Sequence, residues 1–303
     1  MDIKSKIILI SGPTASGKSS FALKVAKKLN GEIINADSMQ VYKELPILTA
    51  RPKKKEQKKI KHHLYGFQSV TKKFSTGKWL KLAKNKIIEI QKKNKIPILV
   101  GGTGLYFKSM TEGLVKIPNI PVKFRNKIRL MQKKIGQKKF YKSLIKIDPL
   151  IKNQINSNDV QRSIRAFEIK KFTKKSITQW FKKTKIFFDN RSFVKIYIDF
   201  PREELLRRIE KRVDQMFKDG AIFEVKKLNT LKIKKDNSSM KVIGIEEISK
   251  LLKGEIDLIE AKERIFIKTR QYAKRQSTWA RGQMSSWDKI NPKNLKLALK
   301  KLK

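Results

Sequence analysis

One short segment near the start of the chain carries residue types suited to holding phosphate groups. It reads GPTASGKS and directly follows the apolar run Ile7–Ile10. This is the G-x-x-x-x-G-K-[ST] phosphate loop in its usual setting, between a strand and a helix. Its backbone N–H groups turn onto phosphate oxygens, Lys18 adds a positive charge, and Ser19 offers a hydroxyl to Mg²⁺. The sequence therefore predicts a di- or triphosphate site formed by Gly12, Pro13, Thr14, Ala15, Ser16, Gly17, Lys18 and Ser19.

The phosphate loop does not by itself say what happens to the phosphate. Many proteins with this loop transfer or hydrolyse the terminal phosphoryl group of ATP or GTP. A kinase or a nucleotide hydrolase is therefore the default interpretation of Gly12–Ser19, with ATP expected by motif. Residues elsewhere in the chain have to support or replace it.

Two further polar positions follow apolar runs that read as strands. Asp37 comes after Glu32–Asn35, and Thr103 lies in the glycine-rich turn after Ile96–Val100. A carboxylate beside a phosphate loop can act as a general base for a substrate amine or hydroxyl. Asp37 can equally cap a turn or help to hold magnesium. Thr103 can donate a hydrogen bond to a leaving-group oxygen, or belong to a turn that only begins a helix.

Two basic segments have the composition of nucleic-acid contacts. Asp159–Glu168 reads as a capped helix in which Arg162 and Arg165 lie three residues apart beside Gln161. Guanidinium and amide groups in this arrangement suit phosphates and base edges. Thr269–Arg281 reads as a second basic helix. For both segments an ordinary amphipathic helix with surface arginines remains the alternative.

The elements that must position these residues alternate between strand and helix. Strands are predicted at Ile7–Ser11, Glu32–Asn35, Ile96–Val100 and Val194–Ile198, with helices at residues 19–29, 75–93, 202–219, 222–231, 242–252 and 257–281. This pattern predicts an α/β fold of the P-loop NTPase type, a parallel sheet flanked by helices. Ligands bind at the carboxyl ends of the strands in such sheets. Those ends carry the phosphate loop, Asp37 and Thr103.

The middle of the chain changes character. Residues 118–190 are helical in pattern, rich in lysine and without strand signals, with breaks at Gly136, Asp148-Pro149 and Asn156–Asp159. We therefore predict an inserted all-helical subdomain at 118–190 within a core domain formed by 1–117 and 191–303. The last twenty residues are expected to form a lysine-rich tail with a frayed helix.

The charge balance is extreme, with 74 basic against 26 acidic residues and a formal net charge of +48. Such a field attracts nucleic acid, although a lysine excess also arises from an AT-rich genome. The absence of cysteine excludes disulfides and thiolate metal sites. No apolar run has the roughly 20 residues that span a bilayer. We expect a cytoplasmic monomer with no membrane association.

Five motifs occur together in order: GPTASGKS, DSMQVYK, VGGTGLYF, DVQRSIRAFE and TRQYAKRQSTWAR. This set closely resembles the tRNA dimethylallyltransferase family, also called isopentenyl-diphosphate:tRNA isopentenyltransferases. The likeness extends from about Lys6 to Trp287. Because the chain has no cysteine, it lacks the ligands of the zinc finger found in the eukaryotic relatives, so it resembles the bacterial form.

The resemblance implies transfer of a dimethylallyl group from dimethylallyl diphosphate to N6 of the adenine just 3′ of the anticodon, in tRNAs that read codons beginning with U. Lys18 and Ser19 with Mg²⁺ would then stabilise the leaving diphosphate. Asp37 would accept or orient the N6 proton, Thr103 would hydrogen-bond near the scissile bond, and Arg270 would be a second diphosphate clamp.

The resemblance also implies a set of tRNA contacts and base flipping of the target adenine. The helical insertion at 118–190 would hold the anticodon stem-loop. The matching positions are Asp37, Ser38, Met39, Gln40, Thr103, Arg125, Gln161, Arg162, Ser163, Ile164 and Arg165.

Two other classes of protein remain as alternatives. A phosphate-loop kinase for a nucleoside or small molecule explains Gly12–Ser19 but gives no reason for the motifs at 161–165 and 269–281. A non-enzymatic RNA-binding protein explains the charge but not the phosphate loop or Asp37.

Overall fold

The computed structural model describes residues 6–234 and 237–302. Its strands are β1 (Ile7–Ser11), β2 (Gly31–Asn35), β3 (His62–His63), β4 (Ile96–Gly101), β5 (Phe193–Ile198) and β6 (Asp288–Ile290). Its α-helices are α1 (Lys18–Lys28), α2 (Lys54–Lys59), α3 (Thr76–Gln91), α4 (Gly104–Thr111), α5 (Val122–Ile147), α6 (Val160–Thr173), α7 (Ile177–Phe181), α8 (Arg202–Lys218), α9 (Ala221–Asn229), α10 (Ile245–Leu252), α11 (Leu258–Gln283) and α12 (Leu295–Lys301). In this described part of the chain, every helix is too short or too polar to cross a membrane.

The chain divides into two compact units. The first comprises the residues up to Thr111 and from Phe188 onward, and the second comprises Glu112–Phe187. The first unit carries the sheet, and the second contains α5, α6 and α7.

All six strands of the first unit run parallel, in the order β3-β2-β4-β1-β5-β6. The predicted α/β fold with a parallel sheet is confirmed. Every residue of β1, β2 and β4 is buried, as expected for inner strands covered on both faces. Ser11 pairs with Gly101, and Asn35 pairs with Val100. These three strands therefore end at the same edge of the sheet.

The strand β3 was not foreseen, because a two-residue strand leaves no periodic signal in the sequence. His62 and His63 pair with Ile33 and Ile34 of β2. The imidazole of His63 contacts the buried carboxylate of Glu32 at 2.7 Å, and Lys95 Nζ lies 3.0 Å from the other oxygen of Glu32. The two histidines therefore belong to the sheet edge.

The expectation of a frayed, lysine-rich tail is wrong, because β6 and α12 both pack on the first unit. Strand β6 adds to the sheet beside β5, with Ile198 opposite Ile290. Helix α12 returns to α1, where Lys28 Nζ donates to the carbonyl of Leu299 at 2.8 Å. Leu295, Ala298 and Leu299 of α12, together with Leu302 just after it, pack against the core beneath α1.

A second core in the first unit joins the loop after β2 to α8, α9, α10 and α11. Leu45, Ile209, Val225 and Ile248 are completely buried in it. The predicted helix at 242–252 starts later, at Ile245, because Gly244 has φ 105°, outside the right-handed helical region. This core fixes α8 and α11 beside the carboxyl edge of the sheet.

The second unit has its own hydrophobic core. Phe140 and Phe167 lie inside it with ring centroids 4.9 Å apart. Helix α5 is interrupted at Gly136, whose φ of 74° and ψ of 164° are not helical, and α6 begins after Asp159, whose carboxylate accepts from the backbone N–H of Arg162. The composition predicts an insertion at 118–190, whereas the second compact unit of the structure comprises residues 112–187.

Candidate active site

The carboxyl ends of β1, β2 and β4 bring three predicted site segments together. The phosphate loop follows β1, Asp37 follows β2, and Thr103 follows β4. The backbone links them, since Thr103 N donates to the carbonyl of Ala36 at 3.2 Å and Ala36 N donates to the carbonyl of Val100 at 2.8 Å. Residues far apart in the chain thus form one site at this edge.

The predicted phosphate loop, Gly12–Ser19, contains two residues with positive φ. Gly17 has φ 83° and Ala15 has φ 64°, so the loop turns twice through the left-handed region before α1 begins at Lys18. Lys18 Nζ folds back to donate to the carbonyl of Pro13 at 3.1 Å. Within the described residues, the hydroxyl of Ser16 is buried without a hydrogen-bond partner. A buried hydroxyl of this kind usually has a hydrogen-bond partner.

A cavity of about 210 Å³ lies at this loop, and its charges are mostly positive. Lys18, Arg208 and Arg212 line it together with a single carboxylate, that of Asp37. The rest of its wall comes from the loop, the chain after β2 and the end of β4; these residues are Thr14, Ala15, Gly17, Ser19, Gln40, Thr49, Ala50, Val100 and Gly101. Three cations against one anion suit a ligand that carries two or more negative charges.

Arg208 and Arg212 were not predicted as site residues. Arg212 Nη1 donates to the hydroxyl of Thr14 at 3.0 Å, and its Nη2 lies 3.5 Å from the carbonyl of Thr49. The two arginines are four residues apart on α8, so they share one face of that helix. Only the packing of α8 reveals that this face meets the loop. Arg270, the predicted second clamp, is exposed on α11 and does not line this cavity.

Asp37 is held in place by its neighbours. The amide of Asn35, fully buried, donates to the carbonyl of Asp37 at 2.9 Å, and its oxygen accepts from Asp37 N at 2.8 Å. Asp37 Oδ1 accepts from Met39 N at 2.9 Å. One carboxylate oxygen therefore orients the turn, and the group still lines the cavity and attracts the charge of Lys18.

Thr103 contacts the turn that follows Asp37. Its hydroxyl accepts from Ser38 N at 2.9 Å and donates to the hydroxyl of Ser38 at 3.2 Å. These two hydrogen bonds between Thr103 and Ser38 hold Thr103 beside the turn that contains Asp37. Gln40 from the same turn donates to the carbonyl of Thr49 at 2.9 Å.

Gln276 on α11 connects the phosphate loop with the glycine-rich turn. Its amide oxygen accepts from Thr14 N at 2.8 Å, and its nitrogen donates to the carbonyl of Gly102 at 2.9 Å. A β-carbon on Gly102 would lie 2.1 Å from this amide, and one on Gly104 would lie 2.2 Å from the ring of Trp279. These glycines therefore make room for α11, which sequence reasoning did not foresee.

A second cavity, of about 290 Å³, shares Thr14, Asp37, Thr49 and Arg212 with the first. Most of its other side chains are apolar; they are Met39, Leu48, Val213, Met216, Val242, Ile243 and Ile265. Lys241, Thr269, Tyr272 and Arg275 form its polar part. A charged cavity and an apolar cavity thus share one wall, at which Asp37 lies.

Burial changes the acid–base behaviour of the phosphate-loop lysine. It lowers the pKa of Lys18 to about 8, with Arg212 acting in the same direction and Asp37 opposing it. Burial also lowers the pKa of Arg212 and raises the pKa of Tyr272. Charged groups here are partly withdrawn from water, which strengthens their interaction with a bound anion.

The remaining predicted residues lie in the second unit, on α5 and α6. Arg125 and Arg165 both approach Glu168, while Arg162 pairs with Asp159 at 3.4 Å. Gln161 is exposed. Ser163 and Ile164 instead point into the unit; they are 0% and 8% exposed, and the hydroxyl of Ser163 accepts from Gln137.

The donors of the site fit a magnesium ion that keeps most of its own water. Ser19 and Asp37 line the same cavity. The described chain has no group of three or more histidine, cysteine or acidic side chains able to hold a metal. Mg²⁺ is commonly bound by one or two protein oxygens together with ligand phosphates, so this sparse set suits it.

This fold and site define a phosphate-loop protein in which the anion cavity continues into an apolar one. The family model described as IPP transferase matches residues 40–283. A tRNA dimethylallyltransferase of Pelagibacter ubique is 64% identical over all of this chain and 97% of that protein. One from Rickettsia massiliae is 46% identical over 95% of this chain and 79% of that protein. The chain belongs to the IPP transferase family.

Solved structures agree with this assignment. The tRNA isopentenylpyrophosphate transferase of Bacillus halodurans is 34% identical, with a TM-score of 0.70 over 98% of this chain and 95% of that one. A eukaryotic dimethylallyltransferase acting on tRNA is 30% identical, with a TM-score of 0.81 over 94% of this chain and 73% of that one. The predicted family is confirmed.

The lowered pKa of Lys18 predicts a pH-dependent affinity for diphosphate. An anion favours the protonated lysine, so binding is strong below pH 8 and weakens as the free protein loses this proton. Calorimetric titration with inorganic diphosphate in metal-free buffer should show affinity falling by about tenfold per pH unit above pH 8.

The variant Lys18→Arg is the matched control, because arginine stays protonated throughout this range. The ratio of wild-type to variant affinity removes the titration of diphosphate itself. A ratio that stays constant from pH 7 to 9.5 would contradict the assignment.

Proposed function

We propose that this protein transfers the dimethylallyl group of dimethylallyl diphosphate to N6 of the adenine just 3′ of the anticodon, in tRNAs that read codons beginning with U. The observation that carries this proposal is the pair of cavities sharing Thr14, Asp37, Thr49 and Arg212. A phosphate-loop kinase has to hold a nucleotide. Here the charged cavity continues into an apolar one, which suits an allylic diphosphate. The names of the relatives support the same reaction.

The charged cavity would hold the diphosphate as a leaving group. Lys18, Arg208 and Arg212 line this cavity and would stabilise the negative charge that grows as the carbon–oxygen bond breaks. Donors fixed in advance around such charge stabilise the transition state more than the ground state. Thr14, oriented by Arg212 Nη1, would donate to the oxygen that leaves carbon. Arg208 and Arg212 line this cavity and Arg270 does not, so we propose these two arginines as the second clamp.

The apolar cavity would hold the five-carbon group with its reactive carbon near Asp37. The amine at N6 attacks that carbon, the carbon–oxygen bond breaks, and its electron pair stays with the diphosphate. The amine nitrogen then carries an extra proton, which Asp37 accepts. Thr103 would help indirectly, because its hydroxyl fixes Ser38 beside Asp37.

Magnesium is part of the proposal, with Ser19 as its protein ligand. When bound, the ion would supply positive charge that offsets the charge of the departing diphosphate. Lys18 and the backbone N–H groups of the loop would also bind phosphate oxygens of this diphosphate.

The tRNA contacts are proposed from residue chemistry and the family likeness. In the second unit, the exposed Gln161 and Arg162 and the half-buried Arg165 would offer amide and guanidinium donors to the anticodon stem-loop. In the first unit, the segment Asp37–Gln40 and Thr103 would meet the flipped adenine. Ser163 and Ile164 would support this surface from inside the unit. We further propose a cytoplasmic, monomeric enzyme.

The direct test is incubation of the protein with labelled dimethylallyl diphosphate, Mg²⁺ and total tRNA. We expect label in the tRNA and, after nuclease digestion, only in N6-(dimethylallyl)adenosine. Omitting tRNA should leave the allylic diphosphate intact. Phosphoryl transfer from ATP with no label in tRNA would support the kinase instead, and RNA binding without any turnover would support a non-enzymatic role.

Asp37→Ala should abolish transfer while tRNA binding is largely kept. The more conservative Asp37→Asn retains an oxygen for Met39 N and so preserves the turn, but it cannot accept the amine proton. We expect its kcat to fall by about 10²- to 10⁴-fold, as for loss of a general base. Single-turnover assays and filter binding measure the two effects separately. Full activity in either variant would remove Asp37 from the chemistry.

Arg212→Ala should lower kcat by about 10²- to 10³-fold, the range for loss of one preorganised donor. The physical reason is the loss of a cavity cation that also orients Thr14. Arg207→Ala removes an exposed arginine from the same helix and is the matched control. Steady-state kinetics with both substrates measures the difference. Equal rates for the two variants would exclude Arg212 from the diphosphate site.

A further inference from the structure

The second unit contains a charge cluster that the reaction itself does not use. Arg125 Nε lies 3.4 Å from Glu168 Oε2, Arg129 Nε lies 3.8 Å from Oε1, and Arg165 Nη1 lies 3.3 Å from Oε2. The side chain of Glu168 is only 2% exposed, whereas the three arginine side chains are 38–41% exposed. One buried carboxylate thus has three partly exposed guanidinium groups around it.

Regular secondary structure fixes these positions. Arg125 and Arg129 are four residues apart on α5, and Arg165 precedes Glu168 by three on α6, so each set lies on one helix face. The helices α5 and α6 pack through buried apolar residues close to the cluster, including Ile128 and Ile164. The array is therefore part of a rigid helix pair.

The cluster is poorly paired for a purely structural ion network. Only Arg165 makes a hydrogen bond to Glu168. Among the described residues, Arg125 Nε and Glu168 Oε1 are buried with no hydrogen-bond partner. Each guanidinium has five N–H donors, so a single carboxylate cannot use most of them. Three arginines also leave two excess positive charges, where one would have neutralised the glutamate.

Such an array has the properties of an anion site. Arginine pairs with phosphate through two parallel N–H groups, and a carboxylate beneath the guanidiniums reduces their mutual repulsion and orients them. Basic residues dominate the unit, whose acidic residues are only Glu112, Asp148, Asp159 and Glu168. This long positive field favours a polyanion with regularly spaced charges over a short acidic peptide.

We propose that Glu168 holds Arg125, Arg129 and Arg165 as one clamp for backbone phosphate of RNA, with Glu168 as a positioning residue. This inference rests on the proposed function, since the RNA is its substrate. It adds Arg129 and Glu168 to the residues expected from the family likeness, and it assigns phosphate rather than a base as the group bound.

The clamp makes an unusual prediction for Glu168→Gln. If only net charge mattered, removing a negative charge would strengthen RNA binding. If Glu168 positions the arginines, the variant should bind tRNA at least about fivefold more weakly, with kcat at saturating tRNA nearly unchanged. Arg129→Ala should weaken binding similarly and lower the slope of log affinity against log salt by about one. Filter binding of tRNA from 50 to 300 mM salt measures both effects.

Three controls separate the clamp from misfolding and from general charge effects. Glu263→Gln neutralises an exposed glutamate of the first unit and should leave affinity unchanged or slightly higher. Arg129→Lys should restore the salt slope but not the full affinity, because lysine lacks the planar fork. Thermal unfolding and binding of dimethylallyl diphosphate should match wild type in Arg129→Ala, which carries the test if Glu168→Gln does not fold.

The possible failures are distinguishable. Wild-type protein that neither binds nor modifies tRNA would overturn the proposed function together with the clamp. Active wild-type protein, with Arg129→Ala and any folded Glu168→Gln binding tRNA as well as wild type or better, would overturn the clamp alone. Polyglutamate that competes as strongly as a phosphodiester polyanion of equal charge would overturn the assignment to phosphate.

Discussion

Three parallel strands ending in register are the constraint on which the site depends. Ser11 lies opposite Gly101, and Asn35 lies opposite Val100. A shift of any strand along its neighbour would separate the phosphate loop from Asp37 and Thr103. The amide of Asn35 donates to the carbonyl of Asp37, and the carbonyl of Ala36 accepts from Thr103 N, which fixes the turns that follow. The side chains of the site thus lie on short turns that directly follow rigid strands, which favours precise positioning of these side chains.

The electrostatics of the site explain how a phosphate loop can serve a reaction that breaks a carbon–oxygen bond. Lys18, Arg208 and Arg212 concentrate positive charge at one end, and partial burial lowers the pKa of Lys18 and of Arg212 there. The apolar cavity begins at the same wall. Asp37 lines both cavities, so in the proposed reaction its carboxylate would lie beside the amine that loses a proton. Each part of the proposed substrate therefore has a matching environment.

Local signals in the sequence were enough for part of this picture. The phosphate loop, Asp37 and Thr103 each follow an apolar strand, and a parallel sheet brings such ends together. Arg208, Arg212 and Gln276 were missed because their roles depend on how α8 and α11 pack, which no local pattern encodes. The same holds for β6 and α12, where lysine-rich composition hid the apolar side chains that cover α1. Ser163 and Ile164 are buried members of a motif whose exposed residues are Gln161 and Arg162, and the motif alone does not separate the two groups.

The central claim is that the phosphate loop holds a leaving diphosphate and that the bond between carbon and the bridging oxygen breaks. The most direct measurement uses dimethylallyl diphosphate with ¹⁸O at that bridging oxygen, followed by mass spectrometry of both products. If the carbon–oxygen bond breaks, all ¹⁸O should appear in the released diphosphate and none in the modified tRNA. Label that stays on the five-carbon group would mean that the bond between phosphorus and the bridging oxygen breaks instead, and would contradict this reaction.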